Sequence, residues 1–139
     1  MIQLDNTTSR YFYRKADKLK SRKAIDEIFG KGKSISHFPL KIIWLTHQRE
    51  VTLQAGVGVS SRNFKKAVDR NRVKRIMREA YRLQKNQLLE YLENNDKKLS
   101  VFFLYVGKEL PAYDIIYEKM GSAITRLIKW NNDNAQKNS

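Results

Sequence analysis

The sequence contains no cysteine, two prolines and two histidines among 139 residues. Without cysteine the chain can form neither disulfides nor thiolate metal sites, and this composition fits a reducing compartment. No uncharged apolar run approaches the roughly 20 residues of a membrane span. The first residues also lack the basic and apolar pattern of a secretory signal. These absences predict a cytoplasmic protein without a membrane partner.

Acidic residues are scarce as well, since 28 lysines and arginines face 14 acids and give a net charge of +14. A charge of this size repels itself, so it predicts a polyanionic partner: first a nucleic acid, second an anionic membrane surface. The excess is concentrated, because residues 62–85 hold ten cations and two acids. Residues 86–139 hold seven of each and are neutral. The charge therefore predicts one binding surface.

The hydrophobic pattern predicts one domain over 19–130 of class α+β, an α/β sandwich with one small mixed sheet of about four strands. A flexible basic and aromatic arm (1–18) precedes it, and a frayed polar tail (131–139) follows. Pro39 is expected at an edge or near the start of a strand. The predicted order α-β-β-(β)-α-β-α consists of a helix over 21–29 capped by Ser21, extended chain over 34–47, a strand over 51–59, a helix over 63–93, a strand over 99–107 and a helix from Tyr113.

The 51–59 strand alternates apolar residues with small or polar ones. Its second face, carrying Thr52, Gln54, Gly56 and Gly58, is open either to a ligand or simply to solvent. The sequence does not decide between these two alternatives.

The long helix separates apolar from basic residues when 100° per residue is counted from Arg70. The apolar sector holds Val73, Ile76, Met77, Ala80, Leu83 and Tyr91. No carboxylate interrupts the basic sector on the opposite side. A solvated surface helix usually interleaves acids, and like charges one turn apart each cost about a few tenths of a kcal/mol. A polyanion would relieve that repulsion, and arginine favours phosphate. The basic sector holds Asn71, Lys74, Arg75, Arg78, Arg82 and Lys85, with Arg70 and Arg72 at its flanks.

The segment 61–82 resembles the signature of the bacterial ribonuclease P protein component. That pattern has a serine followed by cations, then Ala-Val, Arg-Asn-Arg, an aliphatic residue, Lys-Arg, two apolar residues and Arg-Glu. About a dozen positions match in order, and the resemblance extends over roughly 19–128. The matching residues are Ser61, Ala67-Val68, Arg70-Asn71-Arg72, Val73, Lys74-Arg75, Ile76-Met77 and Arg78-Glu79, and outside the segment Leu19-Lys20, Phe29, Gly32-Lys33-Ser34, Phe38 and Val57-Gly58-Val59-Ser60.

The resemblance implies the protein subunit of a ribonucleoprotein endonuclease that removes the 5′ leader from precursor tRNA. In that family the catalytic site and its Mg²⁺ ions belong to the RNA subunit, the Arg-Asn-Arg helix binds this RNA, and the leader lies between the first helix and the sheet. The expected partners are the catalytic RNA and precursor tRNA, with no obligate protein partner and no metal on the chain itself. A left-handed crossover between parallel strands is also implied, against the usual rule.

Carried over by position, the family pattern assigns two groups of site residues. Phe29 and Phe38 line the leader cleft, with core packing as the alternative for both. Three positions depart from the pattern: Arg62-Asn63 replace two lysines, Lys65 replaces a glycine, and Ile25 replaces an aromatic residue. The residues expected to bind RNA are Arg62, Lys65, Lys66, Arg70, Asn71, Arg72, Lys74, Arg75, Arg78 and Arg82.

The chain offers little material for an active site of its own. Asp26-Glu27 is the only adjacent acidic pair, and His37 and His47 lie too far apart along the chain for joint proton transfer. We therefore predict no catalytic residue on this chain. A structural RNA-binding protein, such as a ribosomal protein or RNA chaperone, fits the composition equally. A DNA-binding protein fits less well because the paired helices of a helix-turn-helix are missing.

Overall fold

A computed structural model of the chain describes residues 18, 19 and 21–137, so the predicted arm lies outside the described residues except for Lys18. The α+β class and the predicted order are confirmed: one helix, three strands, a helix, a strand and a last helix. These elements are α1 (Arg22–Lys31), β1 (Lys33–His37), β2 (Leu40–Thr46), β3 (Leu53–Val59), α2 (Ala67–Asn94), β4 (Leu99–Tyr105) and α3 (Tyr113–Lys137).

The four strands form one mixed sheet in the order β1-β2-β4-β3. β1 pairs with β2 and β2 with β4 in antiparallel fashion, whereas β3 and β4 are parallel. Because neighbouring parallel strands need a crossover connection, α2 passes from the end of β3 to the start of β4 across one face. The left-handed sense of this crossover, which the family resemblance implies, stays a prediction.

The extended chain predicted over 34–47 is two strands rather than one. β1 ends at His37, Phe38 and Pro39 form the turn, and β2 begins at Leu40. The break falls at Pro39 because proline has no N–H to donate to a ladder. The expectation that Pro39 lies near the start of a strand is therefore confirmed, and Phe38 lies at the tip of a hairpin.

One face of the sheet carries the main core, against α2 and α3. Phe103 of β4 is fully buried and its ring centroid lies 5.6 Å from that of Tyr81 on α2. Trp44 of β2 meets Trp130 of α3 edge-on, with centroids 5.1 Å apart. Burial of these large apolar side chains stabilises the sandwich, at about 25 cal/mol per Å² of apolar surface. With this face covered by α2 and α3, α1 packs against the opposite face of the sheet.

The second face carries a smaller core beneath α1. It consists of Leu19, Ile28, Ile43 and Phe102. Ser21 caps α1 as predicted, since its Oγ accepts a hydrogen bond from the Ala24 N–H at 3.4 Å. A few apolar contacts thus hold α1 on the sheet.

The glycines of β3 make room for the ring of Phe102. A Cβ on Gly56 would lie 3.1 Å from Cδ2 of that ring, and one on Gly58 would lie 2.6 Å from Cζ. The ring therefore lies over the strand positions without side chains. The choice between a ligand face and a solvated face stays open for β3, although the ring of Phe102 covers the strand at Gly56 and Gly58.

The last helix continues beyond the predicted domain end at residue 130 and runs through Lys137. Asn131 begins the predicted polar tail, yet it is buried, and its amide donates to the Leu127 carbonyl at 2.8 Å. Its own carbonyl accepts from Nζ of Lys97 at 3.4 Å. These contacts bring Asn131 into the packed part of α3, so the segment predicted as a tail is helical over 131–137.

Candidate nucleic-acid interface

The loop before α2 determines where the cationic helix begins. The N–H groups of Asn63 and Phe64 both donate to the Ser60 carbonyl, so the chain turns at 60–64 and α2 starts at Ala67, later than predicted. Lys66 occupies the N-cap without a side-chain capping bond. Nη1 of Arg70 instead donates to the carbonyls of Phe64 and Lys65, each at 2.8 Å. Arg70 therefore holds the loop against the first turn of the helix.

Replacing Arg70 with alanine is expected to lower the free energy of unfolding by about 1–3 kcal/mol, because two carbonyls lose a charged donor. Arg72→Ala is the matched control. Its side chain is exposed and should change stability by less than about 0.5 kcal/mol. Urea unfolding followed by circular dichroism measures both. Equal stabilities of the two variants would contradict a structural role for Arg70.

Asn63, one of the departures from the family pattern, links two loops. Its Nδ2 donates to the carbonyls of Val106 at 3.1 Å and Gly107 at 3.2 Å. The short planar amide of asparagine carries two N–H donors, so one side chain can bond both carbonyls. At this position the chain thus has a link between the loop before α2 and the loop after β4 in place of a cation. No local pattern in the sequence indicated this contact, because its partners lie more than 40 residues away.

The buried side of α2 is rotated relative to the prediction. Val73, Met77 and Ala80 are fully buried as predicted, whereas Leu83 of the same predicted sector is 37% exposed. Tyr81 and Leu88, outside that sector, also face the core. Lys85 was placed in the basic sector, and this is wrong, since the residue is only 5% exposed. It follows Tyr81 by one helical turn and therefore lies on the side that packs against the fold.

The remaining cations form an outward surface, as predicted. Asn71 is exposed among them and adds an amide that can both donate and accept. None of the cations named below forms an ion pair with another residue in the described part of the chain. We call this set the cationic face: Arg62, Lys65, Lys66, Arg72, Lys74, Arg75 and Arg78, with Lys74 half-buried and the others exposed.

Arg82 differs from the cationic face because it has a carboxylate partner. Its Nη2 lies 2.6 Å from Oε1 of Glu79, and Nε lies 3.2 Å from Oε2. This hydrogen bonding holds the pKa of Glu79 below its ordinary value and raises that of Arg82. Glu79 lies beside the basic sector and not within it, but its ion pair means that Arg82 contributes less uncompensated charge than its neighbours.

Phe29 and Phe38 are both exposed but line different surfaces. Phe29 on α1 is 49% exposed and meets Phe102 edge-on, with centroids 5.2 Å apart, on the second face of the sheet. Phe38 at the hairpin tip is 72% exposed and lines a groove with Ile115 and Lys119 of α3. Core packing is therefore the wrong alternative for Phe38. Of the two, only Phe29 belongs to α1, along which the predicted cleft would run.

The two histidines, His37 and His47, contact different residues and do not lie together. Nδ1 of His37 lies 3.3 Å from Nη1 of Arg126, and burial together with Arg126 and Lys119 lowers the pKa of His37. Nδ1 of His47 accepts from the Arg49 N–H at 3.2 Å, and burial lowers its pKa too. They stand at opposite ends of β2. Within residues 18, 19 and 21–137 no three histidine or carboxylate side chains lie close enough together to hold a metal ion.

None of the helices in the described residues combines the length and the apolar character needed to cross a bilayer.

Comparisons with known proteins identify relatives of this sequence. The family model for ribonuclease P matches residues 13–127. A ribonuclease P protein component of Porphyromonas gingivalis is 33% identical over 115 residues, covering 81% of this chain and 84% of the relative. One from Chlorobium phaeobacteroides is 31% identical over 119 residues, covering 77% and 82%.

Solved structures resemble the fold. The RNase P protein of Staphylococcus aureus matches with a TM-score of 0.58 at 20% identity, over 84% of this chain and 96% of that one. The RNase P protein of Thermotoga maritima matches with a TM-score of 0.56 at 22% identity, over 78% and 96%. At these identities the structures support the architecture alone.

Proposed function

The chain belongs to the ribonuclease P protein family, and we propose that its cationic face binds the catalytic RNA of that enzyme. The observation that carries this proposal is the row of exposed arginines, Arg72, Arg75 and Arg78, without ion-pair partners among the described residues. Guanidinium groups bind phosphate oxygens in bidentate fashion, and each neutralised phosphate releases counterions. Asn71 would add a contact to a base edge or a 2′-hydroxyl. The alternative of a ribosomal protein or RNA chaperone is disfavoured by the family match.

We further propose that the substrate is precursor tRNA and that its 5′ leader lies beside α1. Phe29 supplies an exposed ring there, held by Phe102 beneath it. An aromatic ring can stack on an unpaired base for about 1–3 kcal/mol. Phe38 is not included, because its ring lies in the groove next to α3. In this arrangement α1 and α2 contact two different RNA molecules in the cytoplasm.

The catalytic site of this proposed holoenzyme belongs to the RNA subunit. Mg²⁺ bound there would supply the electrostatic stabilisation that phosphodiester hydrolysis needs. The protein contributes binding: the cationic face lowers the repulsion between the catalytic RNA and the substrate, and α1 orients the leader. The result is endonucleolytic removal of the leader, assisted by a chain without a catalytic residue.

Reconstitution tests the proposed function. The full chain is combined with the ribonuclease P RNA of the same organism at moderate Mg²⁺, and cleavage of precursor tRNA is compared with RNA alone. We expect kcat/KM to rise by at least about tenfold, since each leader base stacked is worth about 1–3 kcal/mol. A precursor with a single-nucleotide leader is the control and should gain less. Equal rates with and without the protein would refute the proposal.

A further inference from the structure

The first two turns of α3 expose a pair of aromatic residues. Tyr113 and Tyr117 are 39% and 40% exposed, and their ring centroids lie 6.0 Å apart with the planes tilted by 38°. Ile116 and Met120, the neighbours that face inward, are fully buried. The core therefore does not require the tyrosines, and both rings present surface to solvent.

A side chain of α2 fixes the position of this pair. Nε2 of Gln84 donates to the Ala80 carbonyl of its own helix at 3.1 Å and to the Tyr117 carbonyl of α3 at 2.9 Å. Gly121 allows the close approach, because a Cβ there would lie 2.4 Å from Oε1 of Gln84. The start of α3 is thus held in register with the middle of α2. Rings held in this way lose little conformational entropy when they bind.

The pair also adjoins the cationic face. Arg78 precedes Arg82 by one helical turn, and Arg75 precedes Glu79 in the same way. The charges of Glu79 and Arg82 both act on Tyr113, whose pKa is raised by burial and then by Glu79. A tyrosine hydroxyl is neutral near pH 7 even without this shift, so it does not repel a phosphate. The Glu79–Arg82 ion pair, one helical turn after Arg75 and Arg78, thus connects the cationic face with Tyr113 on α3.

We propose that the RNA-binding surface extends from α2 onto α3, with Tyr113 and Tyr117 as a stacking platform for an unpaired base of the RNA subunit. The inference rests on the proposed function, because it adds to the surface assigned there. Cations beside exposed rings suit single-stranded RNA: the cations hold the backbone and a ring receives the base. A second copy of the chain suits the surface less well, since each copy has a net charge of +14.

Paired substitutions test the platform by the salt dependence of binding. We expect Tyr113→Ala with Tyr117→Ala to weaken binding of the RNA subunit by about 5- to 100-fold. The slope of log affinity against log salt should not change, because a neutral ring releases no counterions. The control, Tyr113→Phe with Tyr117→Phe, keeps both rings and should bind within about twofold of the natural chain. Natural affinity in the alanine variant would overturn the inference.

Because the chain has no cysteine, a single introduced thiol can locate the RNA directly. An iron chelate attached to Asp114→Cys, an exposed position that leaves both rings in place, should direct hydroxyl-radical cleavage to an unpaired segment of the RNA subunit. Lys129→Cys, at an exposed position farther along the same helix, is the matched control and should cleave elsewhere or not at all. Identical cleavage patterns from the two positions, or no cleavage from Asp114→Cys, would overturn the platform.

These experiments separate the inference from the proposed function. If substitutions on the cationic face change the salt slope while the tyrosine variants bind normally, the platform alone is wrong. If the cationic-face variants leave the slope unchanged, the RNA-binding surface on α2 is wrong and the platform loses its basis. Sedimentation of the free chain tests whether a second copy of the chain occupies this surface instead. If the natural chain is a dimer and the alanine variant is a monomer that still binds RNA normally, the tyrosines serve self-association and the inference is overturned.

Discussion

Replacing Arg72, Arg75 and Arg78 together with alanine is expected to weaken binding of the ribonuclease P RNA by about 10²–10³-fold near 0.1 M salt. All three side chains are exposed on α2 and have no ion-pair partner among the described residues. The effect is large because each lost phosphate contact forgoes the entropy of released counterions. The slope of log affinity against log salt should become shallower by about 2–3. Filter binding across a salt series measures both quantities.

The matched control removes three cations elsewhere. The control replaces Arg49, Lys98 and Lys129, which lie outside the cationic face, with alanine. It lowers the net charge by the same three units as the first triple variant. If the total charge of +14 were responsible for binding, both triple variants would lose affinity alike. We expect the control to lose less than about tenfold, with nearly the natural slope. Equal losses would show that the charge acts as a diffuse field and not through α2.

The exposed arginines of α2 could be predicted from the sequence because the face of a helix follows from local geometry. Residues at a spacing of three or four share a side whatever the rest of the fold does. The rotation of the helix against the core could not be predicted in the same way. Lys85 shows the difference: its angle on the helix is local, but its burial depends on where the sheet and α3 pack.

The β1–β2 hairpin shows a second limit of local patterns. Alternating apolar residues correctly predicted extended chain over 34–47, and Pro39 marked a place where the ladder must stop. The turn itself carries neither Asn-Gly nor another strong hairpin signal. Reversal of the chain at Phe38 therefore became visible only in the pairing of β1 with β2. This reversal is also what places Phe38 away from Phe29.

Contacts between distant segments were beyond any local pattern. Arg70 matched the family motif as an RNA-binding residue, but its Nη1 is bonded to the carbonyls of Phe64 and Lys65. Asn63 departed from the motif, and the departure corresponds to a link with Val106 and Gly107. Both residues thus hold the loop before α2. A motif marks which residue types recur in a segment, whereas the contacts of each side chain follow only from the fold.

Replacing Phe102 with alanine is expected to detach α1 from the sheet while α2 keeps its surface. The ring contacts Phe29 and lies over Gly56 and Gly58, which have no side chains to fill the space it would leave. Loss of a buried phenylalanine costs about 3–5 kcal/mol when the cavity cannot collapse. Because the core beneath α1 is small, the cost falls on that helix, and hydrogen exchange of its amides should accelerate.

The neighbouring Phe103 supplies the matched control, since it is buried on the opposite face of the same strand. Phe103→Ala should lower the free energy of unfolding by a similar amount, yet the folded fraction should keep its preference for precursor tRNA over mature tRNA. Phe102→Ala should lose most of that preference, by about 5- to 100-fold, while binding the RNA subunit normally. The comparison is informative because the two adjacent residues are of one type and lie on opposite faces of the sheet, Phe102 against α1 and Phe103 against α2. If both variants retained the preference, the leader would have to bind away from α1, and the role proposed for Phe29 would fail with it.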